Sequence, residues 1–235
     1  MEAIIIGDYD PSIHSMTDGI VRADNNFPLD VATTLAEGDL FWANRGKAIN
    51  SYASLEQALC TLFSQVGEMK SDVAGVIFFK ITNTMARNSI IEKLIGKKHG
   101  TTYNLFWNAY LRELRTIDLK RNEIVHWVAV TNVAVDSKSV LHVGVSLAPP
   151  NFWGQTATSP RIVSSDLLAF SKKCSDFARL ASMFYLATNG SMMDSADAAP
   201  WLDIFQQPLI YPLPADHLLN RPSGAPDIQP PPSLA

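Results

Sequence analysis

From Glu37 onward, apolar residues recur at helical spacing. Leu40, Phe41, Ala48, Tyr52, Leu55, Leu59, Leu62, Phe63 and Val66 lie mostly three, four or seven positions apart. Such spacing puts them on one side of an amphipathic helix, predicted over residues 38–67 and long enough to bend or to span a bundle. Asp72 is of N-cap type and opens a second helix, whose apolar start is Val76, Ile77, Phe79, Lys80 and Ile81. A further piece from Asn83 to Lys98 carries Ile90, Ile91, Leu94 and Ile95 on one side. Gly96 and Gly100 help to end it, and Lys97, Lys98 and His99 in its last turn complement the helix dipole. His99 therefore reads as a capping or surface histidine. The next helical stretch, Tyr103 to Val128, has Phe106, Trp107, Tyr110, Leu111, Leu114, Ile117, Ile124 and Val125 as apolar positions.

The period then changes. Residues 128–135 and 140–147 are rich in β-branched side chains and alternate in part. Asp136-Ser137-Lys138-Ser139 between them reads as a turn, which predicts a β-hairpin closed by Pro149-Pro150. Residues 151–163 read as loop. Ser164-Ser165-Asp166 start a last helix with Leu167, Leu168, Phe170, Phe177, Leu180, Ala181, Phe184 and Tyr185 on its core face, ending at the C-cap pair Asn189-Gly190. Residues 1–36 lack a sustained period and are broken by Gly7, Pro11, Gly19 and Pro28. They predict an irregular N-terminal arm or a short extra element. Nine prolines in the 36 residues from Pro200 onward argue against a continuing helix or central strand. In that tail Trp201, Leu202, Ile204 and Phe205 are apolar enough to dock onto the body, while the final Pro230-Pro231-Pro232 segment reads as extended or disordered.

Composition narrows the class. With 47% hydrophobic and 18% charged residues, the chain is globular and commits much of itself to a core or an interface. No run of about 20 apolar residues predicts a membrane span. The N-terminus has three strongly apolar residues in a row and no basic flank, unlike a secretory signal. Two cysteines, Cys60 and Cys174, are too few for a disulfide framework and fall in helical patterns, so both read as buried thiols. A cytoplasmic protein is the default expectation. The net charge of −4 hides an uneven distribution. Residues 1–79 carry 4 basic and 11 acidic side chains, residues 80–121 carry 9 and 3, and residues 122–235 carry 6 and 9. A basic centre thus runs into Arg121. It reads either as a solvated helix face or as a local anion site.

The chemistry-bearing segment is Arg121-Asn122-Glu123-Ile124-Val125-His126. On a helix, Asn122 and His126 stand one turn apart, about 40° around the axis. Arg121 lies at the edge of that face and its long side chain reaches over. Glu123 turns away, Ile124 and Val125 can face the core, and Trp127 lies beside. An imidazole, an amide and a guanidinium together suit phosphodiester chemistry. Histidine donates and accepts protons near neutrality. Arginine grips two phosphate oxygens and stays charged. Asparagine can orient the histidine or bond a ribose. No His, Cys, Asp or Glu cluster has zinc spacing, so no metal or other cofactor is expected and any reaction would be metal-independent. On spacing alone, the more usual reading of His126 is a packed, hydrogen-bonded structural histidine beside a tryptophan.

The same six residues resemble the Arg-polar-x-x-x-His signature of the HEPN superfamily, in which the position after arginine is commonly Asn, Asp or His. The setting agrees: the motif falls late in a helix, after earlier long helices, and a further helix follows. The resemblance implies a mainly α fold, a HEPN-like helical bundle over residues 37–190. A small β-hairpin at about 128–147 would precede the last helix, with an N-terminal arm over 1–36. A Pro-rich tail over 191–235 would be partly docked or disordered. Two features depart from familiar subfamilies: Trp127 and Val128 follow the histidine where some toxin members carry a tyrosine, and a hairpin is inserted.

Carried onto this chain, the resemblance makes Arg121 and His126 the catalytic pair and Asn122 their polar support. Active members place two such motifs face to face across a dimer, so one copy implies a homodimer with a composite site. The implied reaction is attack of a ribose 2′-hydroxyl on the adjacent phosphate, as in ribonucleases of toxin–antitoxin, abortive-infection and CRISPR-associated systems. RNA is then the substrate, and an antitoxin or other regulatory protein is an expected partner. Lys93, Lys97, Lys98, Arg112, Arg115 and Lys120 are the candidate RNA-binding residues from the basic centre. The alternative is a non-catalytic HEPN-like module that dimerises and binds a partner protein or nucleotide.

Overall fold

The computed structural model describes residues 4–6, 31–135, 141–150, 160–190 and 195–220. The chain is mainly helical with a small antiparallel hairpin. In order it forms β1 (Ile4–Ile6), α1 (Val31–Val66), α2 (Ser71–Lys80), α3 (Thr84–His99), α4 (Asn104–His126), β2 (Val128–Val135), β3 (Leu141–Ala148), α5 (Ser164–Thr188) and α6 (Ser195–Phe205), then a short 3-10 turn at Leu218–Asn220. No helix among the described residues is long and apolar enough to cross a membrane. The fold divides into two compact units, one of residues 1–59 and 114–178, the other of residues 60–113 and 179–235.

In the first unit, paired polar side chains fix the helix directions. Asn44 Nδ2 donates to Ser164 Oγ at 2.6 Å, and the hydroxyls of Ser51 and Ser171 meet at 2.7 Å. Both partners advance by seven residues, so α1 and α5 run parallel here. Small hydroxyl side chains let the two backbones approach closely. By contrast, Arg45 meets residues 124–127 while Tyr52 meets Asp118, so α1 and α4 run antiparallel. The buried apolar side chains of this unit include Phe41, Ala48, Leu55, Leu114, Ile117, Ile124, Leu167, Cys174 and Phe177. The strands form one sheet in the order β1-β2-β3. Val128 pairs with Ala148 and Val135 with Leu141, so the hairpin is in register from end to end, one residue beyond the expected limit of β3. Its turn, Asp136 to Ser139, lies outside the described residues. Ile4–Ile6 adds a parallel strand against Thr131–Val133, which gives the N-terminal region the short extra element. Ile162, in the expected loop, forms a bridge with Leu147.

The second unit is built on aromatic rings. Phe106, Trp107, Tyr110, Phe184 and Phe205 are all at most 2% exposed. Phe184 meets Trp107 and Phe205 edge-on at 5.0 and 5.2 Å, a geometry favoured by the ring quadrupoles. Asn83 caps α3 by accepting from Ala86 N at 3.1 Å. Gly100 ends α3 at φ 64°, a conformation that favours glycine.

Three expectations need correction. First, α1 begins at Val31 and not at residue 38. No residue from Leu35 to Leu40 is buried, so that stretch carries no core periodicity to read. Second, α2 buries Ala74 and Phe78 and exposes Val73, Val76, Ile77 and Phe79. The segment is apolar nearly all round, and the contact face is chosen by packing rather than by sequence contrast. Third, the proline-rich region contributes α6, with Pro200 inside it. Proline there removes one backbone hydrogen bond and ordinarily costs about 3 kcal/mol. Trp201 and Phe205, one turn apart, are buried and offset that cost, whereas Pro200 is exposed. Leu40 and Leu168, expected in the core, are exposed as well.

Both thiols are free and buried. Burial pushes the Cys174 thiol up to about 12, with Asp118 adding to the rise and Lys173 opposing it. Burial also raises Cys60, against the nearby Arg87. His99 is half-buried, with ring contacts to Tyr103 and Phe184 at 5.4 and 5.9 Å. Desolvation, and then the Lys98 charge, lower its pKa below the usual 6.5.

Candidate active site

The motif occupies the last turns of α4, as its helical period requires. Ile124 is buried at 1% exposure, which anchors this end of the helix. That anchoring turns Asn122 and His126, one turn apart, to solvent, and leaves Arg121 half-exposed. Arg121 Nη1 donates to Asn122 Oδ1 at 3.2 Å. Among the described residues its guanidinium has no carboxylate partner. The His126 ring makes no hydrogen bond to either residue, nor to any other described side chain. Glu123 turns aside and pairs with Lys120 at 2.6 Å.

Arg121 is supported from α1. Its guanidinium carbon lies 5.4 Å from the centroid of the Tyr52 ring. Tyr52 is 7% exposed, and its hydroxyl donates to Asp118 Oδ1 at 2.9 Å. The aromatic face thus supports the cation without occupying its N–H edge.

The backbone around His126 is held by a second α1 residue. A helix leaves its last carbonyls without partners. Trp127 N reaches Glu123 O at 2.8 Å, and then the chain turns into β2. Arg45 takes up the carbonyls that follow. Its Nε and Nη2 donate to Ile124 O at 3.1 and 3.0 Å, and Nη2 also reaches Val125 O at 3.3 Å and Trp127 O at 3.4 Å. A cation suits this negative end of the dipole. The Arg45 guanidinium in turn lies 5.4 Å from the Trp42 ring.

No match was found among protein-family models, characterised proteins or solved structures. The HEPN resemblance therefore rests on the six-residue segment and its helical setting.

The basic residues expected to hold RNA are distributed unevenly. Arg115 is exposed and stands two turns before Asn122 on α4, in line with Leu119, Asn122 and His126. Lys120 shares this unit, but its charge is engaged by Glu123. Lys93, Lys97, Lys98 and Arg112 belong to the other unit. All four are exposed, and Lys98 pairs with Glu68 at 3.4 Å. On the sequence alone, Tyr52 falls in the core and Arg45 has no role. They stand seven apart on α1, and their partners on α4 are 66 and 79 residues away in the chain.

Proposed function

We propose that this chain is a metal-independent endoribonuclease of HEPN type, acting in a toxin–antitoxin or anti-phage defence setting. The observation that carries the reading is the solvent-facing trio at the end of α4. Among the described residues, Arg121 has an amide, not a carboxylate, as its hydrogen-bond partner, and the His126 ring makes no hydrogen bond. A guanidinium already neutralised by a buried carboxylate would be a poor phosphate ligand; this one keeps its charge for a ligand.

Two copies of the trio, facing each other across a homodimer, complete the site. One His126 accepts the proton of the ribose 2′-hydroxyl. The 2′-oxygen attacks the adjacent phosphorus, the bond from phosphorus to the 5′-oxygen breaks, and His126 of the second copy returns a proton to the leaving 5′-oxygen. A 2′,3′-cyclic phosphate and a 5′-hydroxyl result. Arg121 offsets the charge that builds on the phosphorane oxygens, and Asn122 keeps Arg121 directed. Incubating single-stranded RNA with the wild type and with Arg121→Ala and His126→Ala tests the proposal; cleavage by wild type alone, with chelator present, supports it.

One observation favours a second reading, a non-catalytic module that dimerises and binds a partner protein or nucleotide. Leu35, Trp42 and Ile49 stand at heptad spacing on α1 and are 65%, 50% and 43% exposed. Such a stripe suits a helix partner. RNA that stays intact while the chain is dimeric would favour that module.

A further inference from the structure

The α1 residues under the motif form a pattern of their own. Arg45 and Tyr52 are seven apart, so they share one side of α1 about 10.5 Å from each other along the axis. Because α1 and α4 are antiparallel here, Tyr52 stands level with Asp118 and Arg121, and Arg45 with residues 124–127. Each end of the Arg121–His126 segment therefore rests on one α1 side chain. We propose that Arg45 and Tyr52 are positioning residues of the site: Tyr52 sets the guanidinium of Arg121, and Arg45 sets the turn that carries His126. This rests on the ribonuclease reading of the segment.

The physical need is specific. Arg121 is an end-of-helix side chain with four torsions and one hydrogen bond, to a neighbouring exposed asparagine. Left alone, it would sample many rotamers, and ordering it on substrate would cost entropy. A ring beneath its face removes much of that freedom without using the N–H edge. The ring is itself fixed by burial and by the Asp118 bond. His126 has the opposite difficulty. Its ring has no hydrogen bond among the described residues, so its placement follows its backbone, and that backbone lies where helix ends fray. The fork of Arg45, engaging three carbonyls there, fixes the turn in a way a single-point cation cannot.

The test uses the full chain, a single-stranded RNA oligonucleotide, and the variants Tyr52→Leu, Tyr52→Phe, Arg45→Met and Arg45→Lys, all at a temperature where each is folded by circular dichroism. Tyr52→Leu and Arg45→Met should lower kcat about 10–100-fold while KM moves less than about threefold, since misplacement by about an ångström costs that much in rate. Tyr52→Phe, which keeps the ring, and Arg45→Lys, which keeps the charge, should recover part of the loss. NMR supplies an arm that needs no activity. The Arg121 Nε–H signal should move in Tyr52→Leu as the ring current is lost, and the His126 ring signals should move and broaden in Arg45→Met. If wild type does not cleave RNA, the ribonuclease reading fails while the two NMR signals still test the positioning. Unchanged kcat, or unmoved Arg121 and His126 signals in the folded Leu and Met variants, would overturn the proposal. Should Tyr52→Leu not fold, Tyr52→Met takes its place, and should Arg45→Met not fold, Arg45→Lys does, since one ammonium cannot span three carbonyls; a full wild-type kcat with unmoved signals in the replacement overturns the proposal too.

Discussion

Replacing Phe205 by alanine asks whether the proline-rich C-terminal region is part of the core or an appendage. Phe205 is fully buried. Its ring lies 4.9 Å from Phe106, 5.2 Å from Phe184 and 5.9 Å from Trp201. Truncation removes the transfer energy of a phenyl group and leaves a cavity among stiff rings that cannot easily collapse. Such Phe→Ala changes cost about 3–5 kcal/mol, and the lost edge-on pairings belong within that figure. An m-value of about 2 kcal/mol/M turns this into a fall of roughly 1.5–2.5 M in the urea midpoint. Urea unfolding followed by tryptophan fluorescence is the assay. Val76→Ala serves as the contrast, since Val76 is apolar but 74% exposed; it should stay within about 0.5 kcal/mol of wild type. A Phe205→Ala protein that loses less than about 1 kcal/mol would refute the packing argument for α6.

Two titratable groups, the buried Cys174 and the half-buried His99, make stability depend on pH. The folded pKa of Cys174 is raised from 9.0 to about 12, so its stability contribution is full below pH 9.0 and is lost as pH climbs through about 12. Cys174→Ala should therefore lose stability less steeply than wild type over that window in urea titrations; parallel slopes would contradict the assignment. For His99 the folded pKa is lowered from 6.5, chiefly by desolvation, so its contribution is present above pH 6.5 and is lost as pH falls through the lowered value. His99→Gln should show a smaller fall in Tm than wild type between about pH 7 and about pH 5; equal falls would place the acid sensitivity elsewhere.

What is legible in the sequence is what is decided locally. The start of α3 near Asn83, the Gly100 and Gly190 stops and the hairpin alternation each depend on a few neighbouring residues, and each is readable; the cap expected at Asp72 is not found, since α2 starts at Ser71 with Lys70 at its N-cap and Asp72 in its first turn. The face of α2 is not, because its run of apolar residues offers no contrast and only packing selects Phe78 over Phe79. The helix around Pro200 is hidden for a related reason. A proline is read as a breaker, yet burial of Trp201 and Phe205 outweighs the lost backbone bond. At the candidate site, the helical period of residues 121–126 tells which side chains face outward. The supports do not show, since Arg45 lies 79 residues from Ile124, and Tyr52 lies 66 from Asp118. Such pairings are tertiary facts that only helix directions reveal.

On the proposed function, Arg121 and His126 form a ribonuclease site. The most direct measurement is cleavage of end-labelled single-stranded RNA by the full chain in the presence of chelator, with wild type, Arg121→Ala and His126→Ala compared at equal concentration. Wild type should cleave and leave 2′,3′-cyclic phosphate ends, and each variant should lose at least about 100-fold in rate. Cleavage that persists unchanged in His126→Ala would contradict the claim.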